Sequence, residues 1–144
     1  MQAKSGNSLK AGAVYFTVIF ALGFVLGTIR MLWLTQAIGA TAAVLAELPV
    51  MLIASWFAAR WLIRRYAVLR AGDRLIMGAL AFGMLMMAEL ALAVLLFNQT
   101  AAQWLASVMT MPGPIGLTGQ MLFGLMPLLV GAELRRQFPK STKS

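Results

Sequence analysis

Residues 41–61 read TAAVLAELPVMLIASWFAARW, a stretch in which Glu47 and Arg60 are the only charged side chains. About 20 apolar residues in a helix cross the roughly 30 Å hydrocarbon core of a membrane. The stretch therefore predicts a transmembrane helix. It also places a carboxylate, Glu47, at a depth where a charge is expensive unless it faces other protein groups.

The composition of the whole chain agrees with this prediction. Of its 144 residues, 61% are hydrophobic and 11% are charged, whereas about a quarter of a soluble domain is charged. Cysteine and histidine are absent, which excludes disulfides, thiolate nucleophiles and histidine-ligated metals. We expect no metal site and no cofactor. Proton chemistry would have to use one of the four acidic residues, Glu47, Asp73, Glu89 and Glu133.

Three further apolar segments are about as long as the one in residues 41–61. The predicted spans are residues 12–34, 41–62, 75–97 and 115–134, and together they predict one transmembrane domain over residues 1–144. The fold class is therefore all-α, an integral membrane four-helix bundle. Residues 101–111 are predicted to form a short interfacial helix, either a plain connector or a lid over a site.

The basic residues predict the orientation of the bundle. Arg30 falls on one side, and the other eleven fall on the opposite side: Lys4, Lys10, Arg60, Arg64, Arg65, Arg70, Arg74, Arg135, Arg136, Lys140 and Lys143. The positive-inside rule then places both termini and the loop between the second and third spans in the cytoplasm. We expect the membrane to be a bacterial inner membrane. The residues expected to contact anionic lipid headgroups are Arg64, Arg65, Arg70, Arg135 and Arg136. Nucleic-acid binding is not expected, because the chain has no groove-reading motif.

Four polar residues are predicted to lie at one depth. With a rise of 1.5 Å per residue, Glu47 and Glu89 each lie about 9 Å inside the outer boundary, Gln120 lies at a similar depth, and Arg30 is shallower. Small residues share the Arg30 face (Gly23 and Gly27), the Glu47 face (Ala54 and Ala58) and the Gln120 face (Gly116, Gly124, Pro127 and Gly131). Since small residues mark close helix contacts in membranes, at least three of the four polar groups are predicted to face the bundle interior.

These four residues are the candidate binding site, and Glu47 and Glu89 are the candidate catalytic residues. One guanidinium faces two carboxylates, so the second carboxylate lacks a counter-ion. We predict that the two glutamates titrate as a coupled pair and share a proton.

The stretches GFVLGTIRMLW (residues 23–33) and ELPVMLIASWFAARWLIRR (residues 47–65) resemble a group of small four-span bacterial inner-membrane proteins of uncharacterised activity. The resemblance implies a topology and no substrate.

Three interpretations of the polar cluster follow from the sequence. It forms a packing network, or it binds an amphipathic lipid or isoprenoid with Arg30 as an anion anchor, or it belongs to a small proton-coupled transporter or channel subunit. The sequence leaves open whether the protein is an enzyme. It also leaves open a homo-oligomer, because the Gly23–Gly27 pair can pack within the bundle or between copies.

Overall fold

A computed structural model describes residues 2–137, and the side chains of residues 6–137. The predicted basic residues Lys140 and Lys143 lie outside the described residues, as does the side chain of Lys4. The helices are α1 (Gln2–Ile29), a π-helical segment (Arg30–Leu34), α2 (Thr35–Ile38), α3 (Ala40–Arg65), α4 (Ala71–Leu95), α5 (Ala101–Met109) and α6 (Gly113–Gln137).

The prediction of an all-α chain is confirmed over residues 2–137, which contain no strand. Four helical stretches within this range are long and apolar enough to cross a membrane, namely Gly6–Ile38, Ala40–Arg65, Ala71–Leu95 and Gly113–Gln137. Each contains most of one predicted span. The first extends beyond its prediction, because the π-helical segment and α2 continue α1 up to Gly39, where a positive φ of 85° ends the helix.

The four long helices pack as a ring in the order α1, α4, α6, α3. Helices α3 and α4 follow each other in the chain but lie across the diagonal of the ring. The connection between them, residues 66–70, therefore crosses one end of the bundle. There Val68 is buried in the core, and Asn7 donates a hydrogen bond to the Tyr66 carbonyl at 3.4 Å. We call the other end, where α5 lies, the α5 end.

Glycines allow the helix backbones to approach closely. A Cβ on Gly12 would lie 2.9 Å from the Met77 carbonyl oxygen, where α1 meets α4. A Cβ on Gly78 would overlap the Gly124 carbonyl, where α4 meets α6. The predicted small-residue face of α6 thus packs on α4, as small residues do at helix contacts in membranes.

The half of the bundle away from the α5 end is filled with side chains. Tyr15, Leu62, Met77 and Val130 are fully buried there. The Tyr15 ring stacks on Phe123 with centroids 4.5 Å apart, and its hydroxyl donates a hydrogen bond of 2.9 Å to the Phe123 carbonyl. The Tyr15–Phe123 stack lies next to the part of the bundle that holds the polar cluster, where Phe123 lines a cavity.

Candidate functional site

Arg30 begins the π-helical segment at the α5 end of the bundle. The Thr35 N–H bonds back to the Arg30 carbonyl, one residue further than in an α-helix. The wider turn changes the direction in which the residues after Ile29 point. Such segments occur often at functional sites. The sequence offered no signal for it, since RMLWL contains neither proline nor glycine.

Arg30 forms an ion pair with Glu47 of α3. The Nε–Oε2 distance is 2.7 Å, and the side chains are 31% and 17% exposed. The Nε–H does not point at a hydrogen-bond acceptor, so the contact is a charge pair without hydrogen-bond geometry. It joins the end of α1 to α3, which are neighbours in the ring.

Glu89 of α4 has a different partner. The Gln120 side-chain amide on α6 donates a hydrogen bond to Glu89 Oε1. Both side chains are partly buried. Within residues 6–137, the Arg30–Glu47 contact is the only ion pair. The sequence predicted that both carboxylates would gather around Arg30, but each has its own partner, and the two pairs join different helices.

A cavity of about 680 Å³ lies between the two pairs, and all four predicted residues line it. The cavity also has three hydroxyl groups, and each is bonded to a carbonyl of its own segment: Thr28 to Phe24, Ser55 to Met51, and Ser107 to Trp104. The remaining lining is mostly apolar. The two side-chain pairs therefore supply the polar chemistry of the cavity.

Helix α5 forms a wall of this cavity. Its N-terminus is capped by Thr100 and Gln103, which exchange side-chain and backbone hydrogen bonds of 3.1 and 2.8 Å. Trp104, Ser107 and Val108 face the cavity, whereas Leu105 and Met109 are more than half exposed. The apolar side chains of α5 are thus divided between the cavity and the outer surface of the bundle. Helix α5 therefore lies beside the cavity, and its predicted role as a lid or a plain connector stays a prediction.

The small residues predicted to share a face with the polar groups lie in different places. Gly23, Gly27 and Gly116 line the cavity. Ala54 and Ala58 do not line it and pack against the core further along α3. Sequence reasoning missed the contribution of Ser55 and of the aliphatic residues, because apolar side chains that line a cavity resemble those that fill a core.

Residues 6–137 contain no group of three or more acidic side chains that could hold a metal ion. The fold and the cavity define the class of this protein, an all-helical protein with four helices able to span a membrane and an apolar cavity with two polar pairs. Comparisons with protein-family models, curated proteins and solved structures found no match for the chain.

Proposed function

We propose that this is a bacterial inner-membrane protein that binds an amphipathic lipid or isoprenoid in the cavity at the α5 end. The observation that carries the proposal is the cavity itself. Its volume of about 680 Å³ falls within the range of ligand sites, and its mainly apolar lining with a few grouped polar residues is the usual composition of such sites. Arg30, Glu47, Glu89 and Gln120 would bind the polar head of the ligand.

The rim of the cavity supports a ligand that comes from the bilayer. Several of the lining residues are large apolar side chains that are more than half exposed: Phe24, Met31, Leu32, Leu96 and Phe97. They lie at the ends of α1 and α4, which are neighbours in the ring. In a membrane-inserted bundle this exposed rim would face lipid acyl chains. An amphipathic molecule would therefore enter the cavity more easily than a water-soluble one.

The packing-network interpretation accounts for only part of the site. The Arg30–Glu47 pair joins the π-helical segment after α1 to α3, and the Gln120–Glu89 pair joins α4 to α6. Either pair can hold two helices together without an adjacent cavity. Protein interiors normally fill such space, so the cavity between the pairs favours a ligand.

The transporter alternative requires a polar path through the other half of the bundle. That half contains the Tyr15–Phe123 stack and fully buried apolar residues such as Leu62 and Met77. A site with one opening fits this arrangement better than a path across the membrane. Catalysis by Glu47 or Glu89 stays a prediction. Each of the two carboxylates contacts a partner in the same chain.

Filling the cavity is expected to expel the ligand. A Cβ on Gly116 would meet nothing within 4 Å, and Gly116 lines the cavity, so we expect the ring of Gly116→Phe to extend into the cavity. Native mass spectrometry in nanodiscs made with a total lipid extract should show a bound lipid-sized molecule on the wild type that is lost from Gly116→Phe. Glu47→Gln and Glu89→Gln should weaken its binding.

Gly83→Phe is the matched control, because Gly83 also has open space and lies outside the cavity. It should keep the bound molecule. The same bound mass on the wild type and on Gly116→Phe would contradict the proposal. The spectra also report how many chains assemble, and so test the predicted homo-oligomer.

We also propose that the α5 end faces outward and that both termini are cytoplasmic. The charge distribution supports this, because Arg64, Arg65, Arg70, Arg135 and Arg136 would then lie beside anionic headgroups of the inner leaflet. The chain has no cysteine, so single cysteines give labels without background. In spheroplasts, a membrane-impermeant maleimide should label Gln99→Cys at once and Leu69→Cys only after permeabilisation. The reverse order would contradict the orientation.

A further inference from the structure

We propose that the ligand of this cavity carries a primary ammonium group that binds Glu89. The inference rests on the proposed function and assigns the chemical class of the head group. It starts from the partners of the charged residues that line the cavity.

The charges of the lining residues do not balance. Arg30 is the only basic residue among them, and Glu47 and Glu89 are the only acidic ones. Arg30 lies 2.7 Å from Glu47, so the single positive charge is in contact with that carboxylate. Glu89 has the neutral amide of Gln120 as its hydrogen-bond donor. The cavity therefore holds one carboxylate more than it holds cations.

The hydroxyl groups that line the cavity do not donate hydrogen bonds to Glu89. The hydroxyls of Thr28, Ser55 and Ser107 donate to carbonyls of their own segments. An ionised carboxylate has acceptor capacity for about four hydrogen bonds, and one amide donor leaves most of it unused. A ligand ammonium group offers three donors and the missing positive charge, and hydrogen bonds between charged partners are the strong ones.

The overall charge of the protein cannot produce a preference for an ammonium ligand. The chain has a net charge of +8, which repels cations and attracts anions over the surface as a whole. An affinity for ammonium amphiphiles would therefore arise against the general field of the protein. It would point to a local carboxylate.

The experiment uses Trp104, which lines the cavity, as the reporter. The protein carries Trp33→Phe, Trp56→Phe and Trp61→Phe and is held in phosphatidylcholine nanodiscs. It is titrated with three chain-matched quenchers: 11-bromoundecylamine, 11-bromoundecanol and 11-bromoundecyl phosphate. We expect the amine to bind most tightly, and Glu89→Gln to weaken its binding by at least about tenfold, as loss of a charged hydrogen-bond partner does.

Glu133→Gln is the matched control. Glu133 also accepts a hydrogen bond from a glutamine amide, that of Gln137 at 3.1 Å, but it lies far from the cavity on α6. This variant should keep the preference for the amine. The Gly116→Phe variant marks the quenching that comes from the bilayer alone.

The outcomes separate the two proposals. Tighter binding of the phosphate or the alcohol, or an amine affinity unchanged by Glu89→Gln, would overturn the ammonium assignment and leave the cavity as a lipid site. Quenching of the wild type by all three compounds that equals that of Gly116→Phe would overturn this inference. A bound lipid in the mass spectra would then still support the proposed function, and its absence would contradict that as well.

Discussion

Arg30→Gln is expected to lower the free energy of unfolding by about 2–3 kcal/mol. Removing one partner of a buried ion pair costs about 3–5 kcal/mol, because the remaining charge stays buried. The Arg30 side chain is 31% exposed, which reduces this cost. The loss remains large because the variant leaves two carboxylates, Glu47 and Glu89, in one cavity with no cation.

Glu47→Gln should cost less than Arg30→Gln. It leaves Arg30 in the same cavity as Glu89, so the cavity keeps one charge of each sign. The Arg30→Gln/Glu47→Gln double variant should be more stable than the sum of the two single losses predicts, since it removes both members of the pair. Unfolding in mixed micelles of increasing SDS content measures all three.

The control for this series is Arg64→Gln. Arg64 is exposed at the end of α3 and forms no ion pair within the described residues. Its loss should change stability by less than about 0.5 kcal/mol, as surface substitutions do. Equal stabilities of Arg30→Gln and Arg64→Gln would mean that the Arg30–Glu47 pair does not stabilise the bundle.

Gly78→Ala is expected to destabilise the bundle by about 1–3 kcal/mol, the usual cost of overpacking a close contact. The added Cβ would overlap the Gly124 carbonyl. The Gly124 carbonyl is part of the α6 backbone, and the new Cβ would be attached directly to the α4 backbone. The two helices must therefore separate. That separation would also disturb the Gln120–Glu89 hydrogen bond, which joins the same two helices.

Two other glycines provide the comparison for this variant. At Gly83, on the same helix, a Cβ meets nothing within 4 Å. Gly83→Ala should therefore be neutral or slightly stabilising, because alanine favours the helix. Gly124→Ala should fall between them, since its Cβ would lie 3.1 Å from the Phe82 Cβ, which belongs to a side chain. Equal melting temperatures for the Gly78 and Gly83 variants would refute the close contact between α4 and α6.

The grouping of the polar residues at one end of the bundle was suggested by the sequence. The rise per residue placed Glu47, Glu89 and Gln120 at one depth, and all three line one cavity with Arg30. The choice of partners was not predictable. Two carboxylates and one guanidinium suggested a shared site, but Glu89 bonds with Gln120, because the ring order places α4 beside α6.

The sequence alone determined the four long apolar helices. In a bilayer each backbone polar group must be satisfied within the segment, so length and apolar composition are enough to specify a helix such as Ala40–Arg65. Only the tertiary structure decided the ring order, the π-helical turn at Arg30, the two separate polar pairs and the position of α5 as a cavity wall. Those features depend on how each helix is rotated and which neighbour it meets. That choice is the sum of many weak packing contacts between distant residues, which no local pattern encodes.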